Sequence, residues 1–172
     1  MKSILFSLIL LGSFTAAKSQ PAKRYPIANT GASVSYSCDP GKFGVTISAD
    51  SAKVYTSECG VDDIYYMVIC IEPKKNMLPL FKAEMALTDY LDVLKKQFQI
   101  VSATGYVKAQ RLNGSEETRG VVDYWKDNEQ FNWKVKGWTD GKLLAVLVAY
   151  SKKSLVETTI NPFLDGLLFK GM

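Results

Sequence analysis

The 172-residue sequence contains no histidine. The candidate side chains for chemistry are therefore the carboxylates, the lysines and the three cysteines. This absence excludes Ser-His-Asp and Cys-His nucleophilic catalysis and every acid–base mechanism that uses an imidazole. Neither a GxGxxG nor a GxxxxGK[ST] phosphate-binding motif occurs in the sequence. Carboxylate pairs remain, and a carboxylate-dependent hydrolase would need two acidic side chains that converge in one cleft.

Two pairs of adjacent acidic residues lie in sequence typical of turns, Asp62-Asp63 and Glu116-Glu117. Adjacent side chains on an extended chain point to opposite sides, which is a poor start for an acid–base pair. Solvation in turns explains both pairs. We therefore expect a non-catalytic protein without a cofactor, and a carboxylate hydrolase is the least favoured alternative.

The three cysteines allow one disulfide in an oxidising compartment, with three candidate pairings. Cys70 alternates with Val68 and Tyr66 on an apolar strand, which is typical of a buried, inert thiol. Cys38 and Cys59 lie in turn-rich sequence and form the candidate disulfide. A structural zinc site is disfavoured, because the chain has neither a CxxC motif nor a histidine.

Residues 1–19 have the pattern of a signal peptide. Lys2 gives a positive start, and residues 4–11 form an apolar core that is too short to span a bilayer. Cleavage after Ala17 or after Ser19 would each fit the peptidase. We expect an exported protein, periplasmic or secreted, without integral membrane association after cleavage; a retained anchor is the lesser alternative.

The charge balance argues against nucleic acid as a partner. The full chain carries a formal charge of +4. Loss of Lys2 and Lys18 with the leader would reduce this to +2. So small an excess gives no long-range field for nucleic acid or an anionic membrane.

Hydrophobic periodicity predicts one α+β domain over residues 34–172, preceded by a flexible segment at 20–33. Alternating or apolar runs predict strands at 41–50, 53–58, 64–71, 101–112, 120–126, 131–138 and 143–150. A three-to-four residue spacing of apolar side chains predicts a helix at 81–98. Residues 152–159 also read as helical, with a new turn begun by Asn161 and Pro162.

The stretch 119–150 holds all three tryptophans and the most apolar run after the leader. Its three strands are joined by tight turns at 127–130 and 139–142, so we place this meander at the centre of the sheet. Short turns cannot form the crossovers that a parallel sheet requires. The order of elements therefore predicts an antiparallel sheet with helices packed on its faces.

Three segments together resemble the PsbP-like superfamily, which includes the extrinsic photosystem II protein and Mog-type Ran-binding proteins. They are the opening strand Gly41-Lys-Phe-Gly-Val-Thr-Ile, the turn Gly141-Lys-Leu-Leu at the entry to the last strand of the meander, and the ending Phe163-Leu-Asp-Gly-Leu-Leu-Phe. The sequence departs from the family where Gly166 and Leu167 replace Ser-Phe, and where a tyrosine is absent near Leu143.

The resemblance implies an α/β/α sandwich around a central antiparallel sheet, and it implies no catalytic residues. Members of the family are chiefly protein-binding or assembly factors. Metal binding in photosynthetic members uses histidine, which this chain lacks. No site residue is therefore carried over.

The meander supplies one candidate site. Pairing its first hairpin about a turn at 127–130 sets Asp123 opposite Lys134 and Val121 opposite Lys136. Trp125, Asn132 and Trp138 then share that face. The opposite face is expected to pack in the core, and it comprises Val122, Tyr124, Phe131, Trp133 and Val135.

On this alignment Trp125, Lys136 and Trp138 form a candidate partner-binding patch, with the two tryptophans as anchors. The alternative is an ordinary exposed strand face with a cross-strand ion pair. The leading prediction is an exported, non-catalytic domain that binds a protein partner through this face. The second is a carrier of a small apolar ligand held between helix and sheet.

Overall fold

The computed structural model describes residues 22–74 and 78–172, which contain two antiparallel sheets and two α-helices. In chain order the elements are β1 (Lys23–Pro26), β2 (Ser33–Tyr36), β3 (Gly44–Ile47), β4 (Lys53–Val61), β5 (Ile64–Glu72), α1 (Leu80–Gln97), β6 (Ile100–Ala103), β7 (Val107–Gln110), β8 (Arg119–Asp127), β9 (Asn132–Thr139), β10 (Leu144–Ser151), α2 (Glu157–Leu164) and β11 (Leu167–Leu168). The predicted α+β class and antiparallel sheet are confirmed.

The larger sheet has eight strands in the order β3-β4-β5-β10-β9-β8-β6, and β7 also pairs with β8. The predicted meander corresponds to β8, β9 and β10. Its last strand lies in the middle of the sheet, between β5 and β9, which explains its apolar sequence: residues 145–149 are fully buried.

Alternate residues of β10 belong to two separate buried clusters, because successive side chains point to opposite faces of a sheet. Val146 and Val148 join a cluster that includes Leu87 of α1. Leu147 joins the other, which includes Phe163 of α2. We call these two sides of the sheet the α1 face and the α2 face.

The helix α1 approaches the sheet closely. Its buried stripe contains Leu87, Leu91 and Leu94, at the spacing that predicted the helix. A Cβ atom built on Gly137 of β9 would lie 2.9 Å from Leu87 Cδ1, so only glycine allows this approach. Within the described residues, neither helix combines the length and apolarity needed to cross a membrane.

The prediction of a flexible segment at 20–33 is wrong for its described part. Residues 23–26 form β1, which pairs with β2. Ile27 between them is fully buried. The sequence of β1 is too polar to show a strand pattern. Its pairing with β2 holds it in place, and Arg24 adds a hydrogen bond to the Gly166 carbonyl at 3.2 Å. Residues 20–21 and the predicted leader at 1–19 lie outside the described residues.

The C-terminal helix also differs from its prediction. A helix was expected at 152–159 with a separate turn at Pro162, whereas α2 runs continuously over Glu157–Leu164 with the proline inside it. Ile160, Phe163 and Leu164 are buried on one side of α2. This packing outweighs the backbone hydrogen bond that Pro162 removes.

Cys38 and Cys59 form a disulfide, with a sulfur–sulfur distance of 2.01 Å. This is the disulfide that the turn-rich flanking sequence predicted. The bond ties the segment before β3 to β4. Cys70 is a free, buried thiol, and burial raises its pKa to about 12.

Candidate protein-binding surface

The register of β8 and β9 differs by one residue from the predicted alignment. Lys134 lies opposite Tyr124, and Asp123 lies opposite Val135. The cause is the turn: Asp127 N donates to the Phe131 carbonyl at 3.3 Å. Three residues therefore form the loop, in place of the four expected. Gln130 ends this loop with a φ of 68°. Glutamine rarely adopts a positive φ, so the sequence does not indicate this loop.

A shift of one residue moves side chains to the other face. Trp125 pairs with Trp133 and lies on the α1 face, whereas Lys136 and Trp138 lie on the α2 face. The three residues of the predicted patch therefore do not share a surface. Tyr124, assigned to the core, is 42% exposed.

Trp125 belongs to a buried polar network around Asp123. Its indole N–H donates to Asp123 Oδ2 at 2.7 Å. The same carboxylate accepts from Thr104 Oγ1 at 3.1 Å and Gly105 N at 2.9 Å. Lys95 Nζ lies 3.0 Å away. With these donors the carboxylate is saturated, so the network holds α1 and the 104–105 loop to β8.

Lys136 and Trp138 hold α2 in the same way. Lys136 Nζ lies 2.7 Å from both carboxylate oxygens of Asp165. Trp138 is 3% exposed, and its indole N–H donates to the Leu164 carbonyl at 2.9 Å. Both side chains are therefore engaged within the fold. The predicted anchors Trp125 and Trp138 are core residues.

Lys134 is a second lysine between β9 and α2. It is 3% exposed. Its ammonium group contacts Glu157 and donates to Asn161 Oδ1 at 3.0 Å. Burial alone would raise the pKa of Glu157, but the hydrogen bond and charge of Lys134, with hydrogen bonds from Tyr124 and Asn161, together lower it. Through these contacts the buried lysine fixes α2 to β9.

A different set of aromatic residues is partly accessible on the α1 face. Four rings stack in a row across the sheet and onto the C-terminal end of α1, and we call them the aromatic ladder: Tyr65, Tyr150, Trp133 and Phe98. The centroid distances along the row are 5.0, 4.3 and 5.1 Å. Phe131 adds an edge contact at 5.6 Å from Tyr150.

The ladder forms because the ends of neighbouring antiparallel strands coincide. Tyr150 pairs with Tyr65 of β5 on one side and with Trp133 of β9 on the other. Strand pairing alone therefore aligns three rings. Each aromatic residue was visible in the sequence, but only the register of three strands brings them together, and that was not predicted.

The outer end of the ladder is open to solvent. Tyr65 is 42% exposed. Its ring covers Gly60 of β4, where an added Cβ would lie 3.1 Å from Tyr65 Cδ1. On the same face Thr56 and Glu58 of β4 are exposed, because α1 packs against β6, β8 and β9. The part of the α1 face formed by β4 and the start of β5 is thus not covered within the described residues.

Charged groups of both signs surround the ladder. The Tyr150 hydroxyl donates to Glu58, and burial together with this carboxylate raises the pKa of Tyr150. Lys152 Nζ lies 4.9 Å from the centroid of Phe131. Aromatic side chains surrounded by a polar rim are typical of protein–protein interfaces in general.

The acidic pairs show no catalytic geometry. Asp63 Oδ2 accepts from Lys153 at 2.6 Å, and Glu116 pairs with Arg111 at 2.8 Å. Both carboxylates are exposed in turns. Among the described residues, no group of three His, Cys, Asp or Glu side chains could hold a metal ion.

One cleft of about 410 Å³ opens beside the N-terminus of α1. Its lining includes Leu80, Asp140, Lys142, Phe169 and Lys170. It lies at the end of the helix rather than between the helix and the sheet. Its charged rim does not match the apolar site that a carrier would need.

No protein-family model matches this chain, and no curated protein matches it.

Proposed function

We propose that this chain is an exported, non-catalytic domain with a PsbP-like α/β/α arrangement, and that it binds a protein partner through the aromatic ladder. The observation that carries the proposal is the exposed end of the ladder at Tyr65. It adjoins the exposed part of β4 that α1 leaves uncovered among the described residues.

Two features support the proposed arrangement of layers. Alternate residues of β10 enter two buried clusters, one with α1 and one with α2. The C-terminal segment that resembles the family ending supplies Phe163 and Leu167 to the second cluster. Both features are expected of a sheet that carries a helix on each face, and they therefore support the proposed arrangement.

The ladder fits a protein better than the other classes of partner. Aromatic rings supply contact area at a small entropic cost and are frequent among the residues that dominate binding energy. A nucleic acid would require a positive groove, whereas Glu58 and Asp63 accompany Lys152 and Lys153 at this edge. In this proposal the aromatic rings anchor the partner, and the charged side chains form the polar rim around them.

Two observations support export. The segment 1–19 has the sequence pattern of a leader. The disulfide Cys38–Cys59 is of a kind that persists in oxidising compartments. N-terminal sequencing of the protein from a fractionated host tests this part of the proposal, since a start at residue 1 in the cytoplasmic fraction would refute it.

The binding surface is tested with two tyrosines of equal exposure on opposite faces. Tyr65 and Tyr124 are each 42% exposed, on the α1 face and the α2 face respectively. A photo-crosslinking phenylalanine at position 65 should give a covalent adduct with one protein in the native host, and the same residue at 124 should not. Equal adducts at both positions would reject the ladder as the binding site.

The partner so identified allows a quantitative test. Tyr65→Ala should weaken its binding at least tenfold, which corresponds to about 1.4 kcal/mol. Tyr124→Ala should leave the affinity unchanged. If the two changes have the same effect, the aromatic ladder does not provide the anchor.

The two other hypotheses have less support. A carrier of an apolar ligand needs space between α1 and the sheet, where Leu87 and Gly137 are in contact. A carboxylate hydrolase needs converging acids, whereas Asp63 pairs with Lys153 and Glu116 pairs with Arg111. A ligand found by native mass spectrometry would favour the carrier.

A further inference from the structure

The strand β3 forms one edge of the larger sheet. It pairs with β4 in an unbroken register from Gly44 opposite Thr56 to Ile47 opposite Lys53. Among residues 22–74 and 78–172, no strand pairs with its outer side. All four of its residues are exposed, including Val45 at 54% and Ile47 at 65%.

The hydrogen-bond pattern identifies the backbone groups that this edge offers. Ser48 N donates to the Ala52 carbonyl at 2.9 Å, so Ser48 and Ala52 continue the ladder as a hydrogen-bonded pair. Such pairs alternate in an antiparallel ladder. Gly44 and Thr46 therefore bond to β4, whereas Val45 and Ile47 direct their N–H and C=O groups away from the sheet.

The opposite edge is better protected. The pairing of β6 with β8 contains an irregularity between Ile100 and Ser102. A bulge twists an edge away from a new strand. The segment from Phe43 to Ala49 has no bulge, charge or proline to block pairing.

We propose that β3 is the site at which two copies of this chain pair, with the two β3 strands antiparallel about a two-fold axis at Thr46. In this register Val45 of each copy lies opposite Ile47 of the other. Both residues present outward N–H and C=O groups, so the two pairs supply four backbone hydrogen bonds. Thr46 lies opposite its own copy.

Side chains select this register over its neighbours. Val45 and Ile47 meet on one face, which removes the exposed surface of two β-branched side chains from water. On the other face the register brings Lys42 of each copy next to Asp50 of the second copy. A shift of the pairing by two residues would lose this contact between opposite charges. The edge is therefore complementary to itself.

The interface is small, so the association is weak, reversible and dependent on concentration. Pairing would join two eight-stranded sheets into one. It uses neither the aromatic ladder nor α1, and therefore does not rest on the proposed function.

The backbone part of the proposal is tested by Ile47→Pro against Ile47→Ala in the full chain. Proline removes the outward N–H, which β4 does not use, and thus two of the four intermolecular bonds. Sedimentation velocity over a concentration series should show association weakened at least tenfold by Ile47→Pro and less by Ile47→Ala. A monomeric wild-type chain, or equal effects of the two changes, overturns the proposal; circular dichroism verifies folding.

The register is tested separately by Thr46→Cys against Thr56→Cys, which are exposed positions on neighbouring strands. Opposed residues of a pair without mutual hydrogen bonds lie about 4.5 Å apart between Cα atoms, within reach of a disulfide. Under mild oxidation Thr46→Cys should give a reducible dimer on a gel, and Thr56→Cys should not. Equal dimer yields from both variants contradict the proposed axis.

Discussion

Lys95 and Asp123 form an ion pair of 3.0 Å between the last turn of α1 and the middle of β8. The Asp123 side chain has no exposed surface, whereas that of Lys95 is 20% exposed. Lys95 Nζ also lies 3.9 Å from the ring centroid of Tyr106, whose hydroxyl donates to Asp92 at 2.6 Å. Through this pair the helix, the 104–106 loop and the sheet are fixed to one another.

Removal of the lysine should destabilise the fold. Lys95→Met leaves Asp123 buried without its countercharge, and the expected loss is about 3–5 kcal/mol in the free energy of unfolding. The neighbouring Lys96 is exposed, so Lys96→Met should change the free energy by less than about 0.5 kcal/mol. Urea unfolding of both variants measures the difference, and similar midpoints would show that the ion pair contributes little.

Stability should fall in acid partly through Asp123. Burial alone would raise the pKa of this carboxyl group, but hydrogen bonds from Lys95 and Trp125 outweigh it and lower the pKa. A folded pKa below the unfolded value of about 3.9 gives stability that is complete above that value. This stability is lost as the pH falls through the folded pKa.

The Asp123→Asn variant tests this dependence. Its free energy of unfolding should be lower near neutral pH and should decrease less between about pH 5 and pH 3 than that of the wild type. Asp63 is fully exposed, and its pKa is lowered by Lys153. Asp63→Asn should therefore produce a smaller change, because solvent screens the pair. Parallel pH curves for wild type and Asp123→Asn would contradict the prediction.

Gly120 should not tolerate a side chain. A Cβ atom at this position of β8 would overlap the indole ring of Trp138 and lie 2.7 Å from the Gly137 carbonyl oxygen. Gly120→Ala should cost about 1–3 kcal/mol through overpacking. At Gly44 the nearest atom, Thr56 Oγ1, would be 3.3 Å away, so Gly44→Ala should cost far less.

A double variant separates the clash from a backbone effect. Trp138→Leu should reduce the additional cost of Gly120→Ala, since the smaller side chain leaves room for a methyl group. Thermal unfolding of the two single variants and the double variant gives the coupling energy. A coupling near zero would mean that the Trp138 ring is not the cause.

The thiols should react in a fixed order. The native protein should show almost no reaction with a thiol reagent, because Cys70 is buried and its pKa is raised to about 12. Denaturant without reductant should expose one thiol, and added reductant should expose all three. Three reactive thiols without reductant would show that Cys38 and Cys59 are not joined.

Loss of the disulfide should also lower stability. The bond closes a segment with a sequence separation of 21 residues. Replacement of both Cys38 and Cys59 by serine should cost about 3 kcal/mol by the chain-entropy model. The Cys70→Ser variant places a hydroxyl in a buried apolar site and leaves the disulfide intact. Any loss of stability in this control therefore does not come from the disulfide.

Elements with strong periodicity could be predicted closely from the sequence. The first strand of the meander was expected at 120–126 and spans Arg119–Asp127. The long helix was expected at 81–98 and spans Leu80–Gln97. In both cases a local pattern reports a local structure, since one buried face determines the spacing of apolar residues.

The faces of the meander could not be predicted, because they depend on one backbone angle at Gln130. Glycine or asparagine at that position would have indicated the three-residue loop, whereas glutamine does not. An error of one residue in the loop then reversed the environment of Trp138 and Lys136. The strand β1 was missed because its polar, mostly exposed residues show no hydrophobic alternation, although its partner β2 is the next strand along the chain.

The small sheet joins the two ends of the described chain: Leu167 of β11 pairs with Val34 of β2, a separation of 133 residues. A chain that emerges from the ribosome N-terminus first holds β2 without this neighbour until residues 167–168 have been made. Contacts between such distant residues carry a large loop-closure cost and favour late formation. Closure of the small sheet is therefore a late event in the folding of the described residues, and loss of β11 would prevent it.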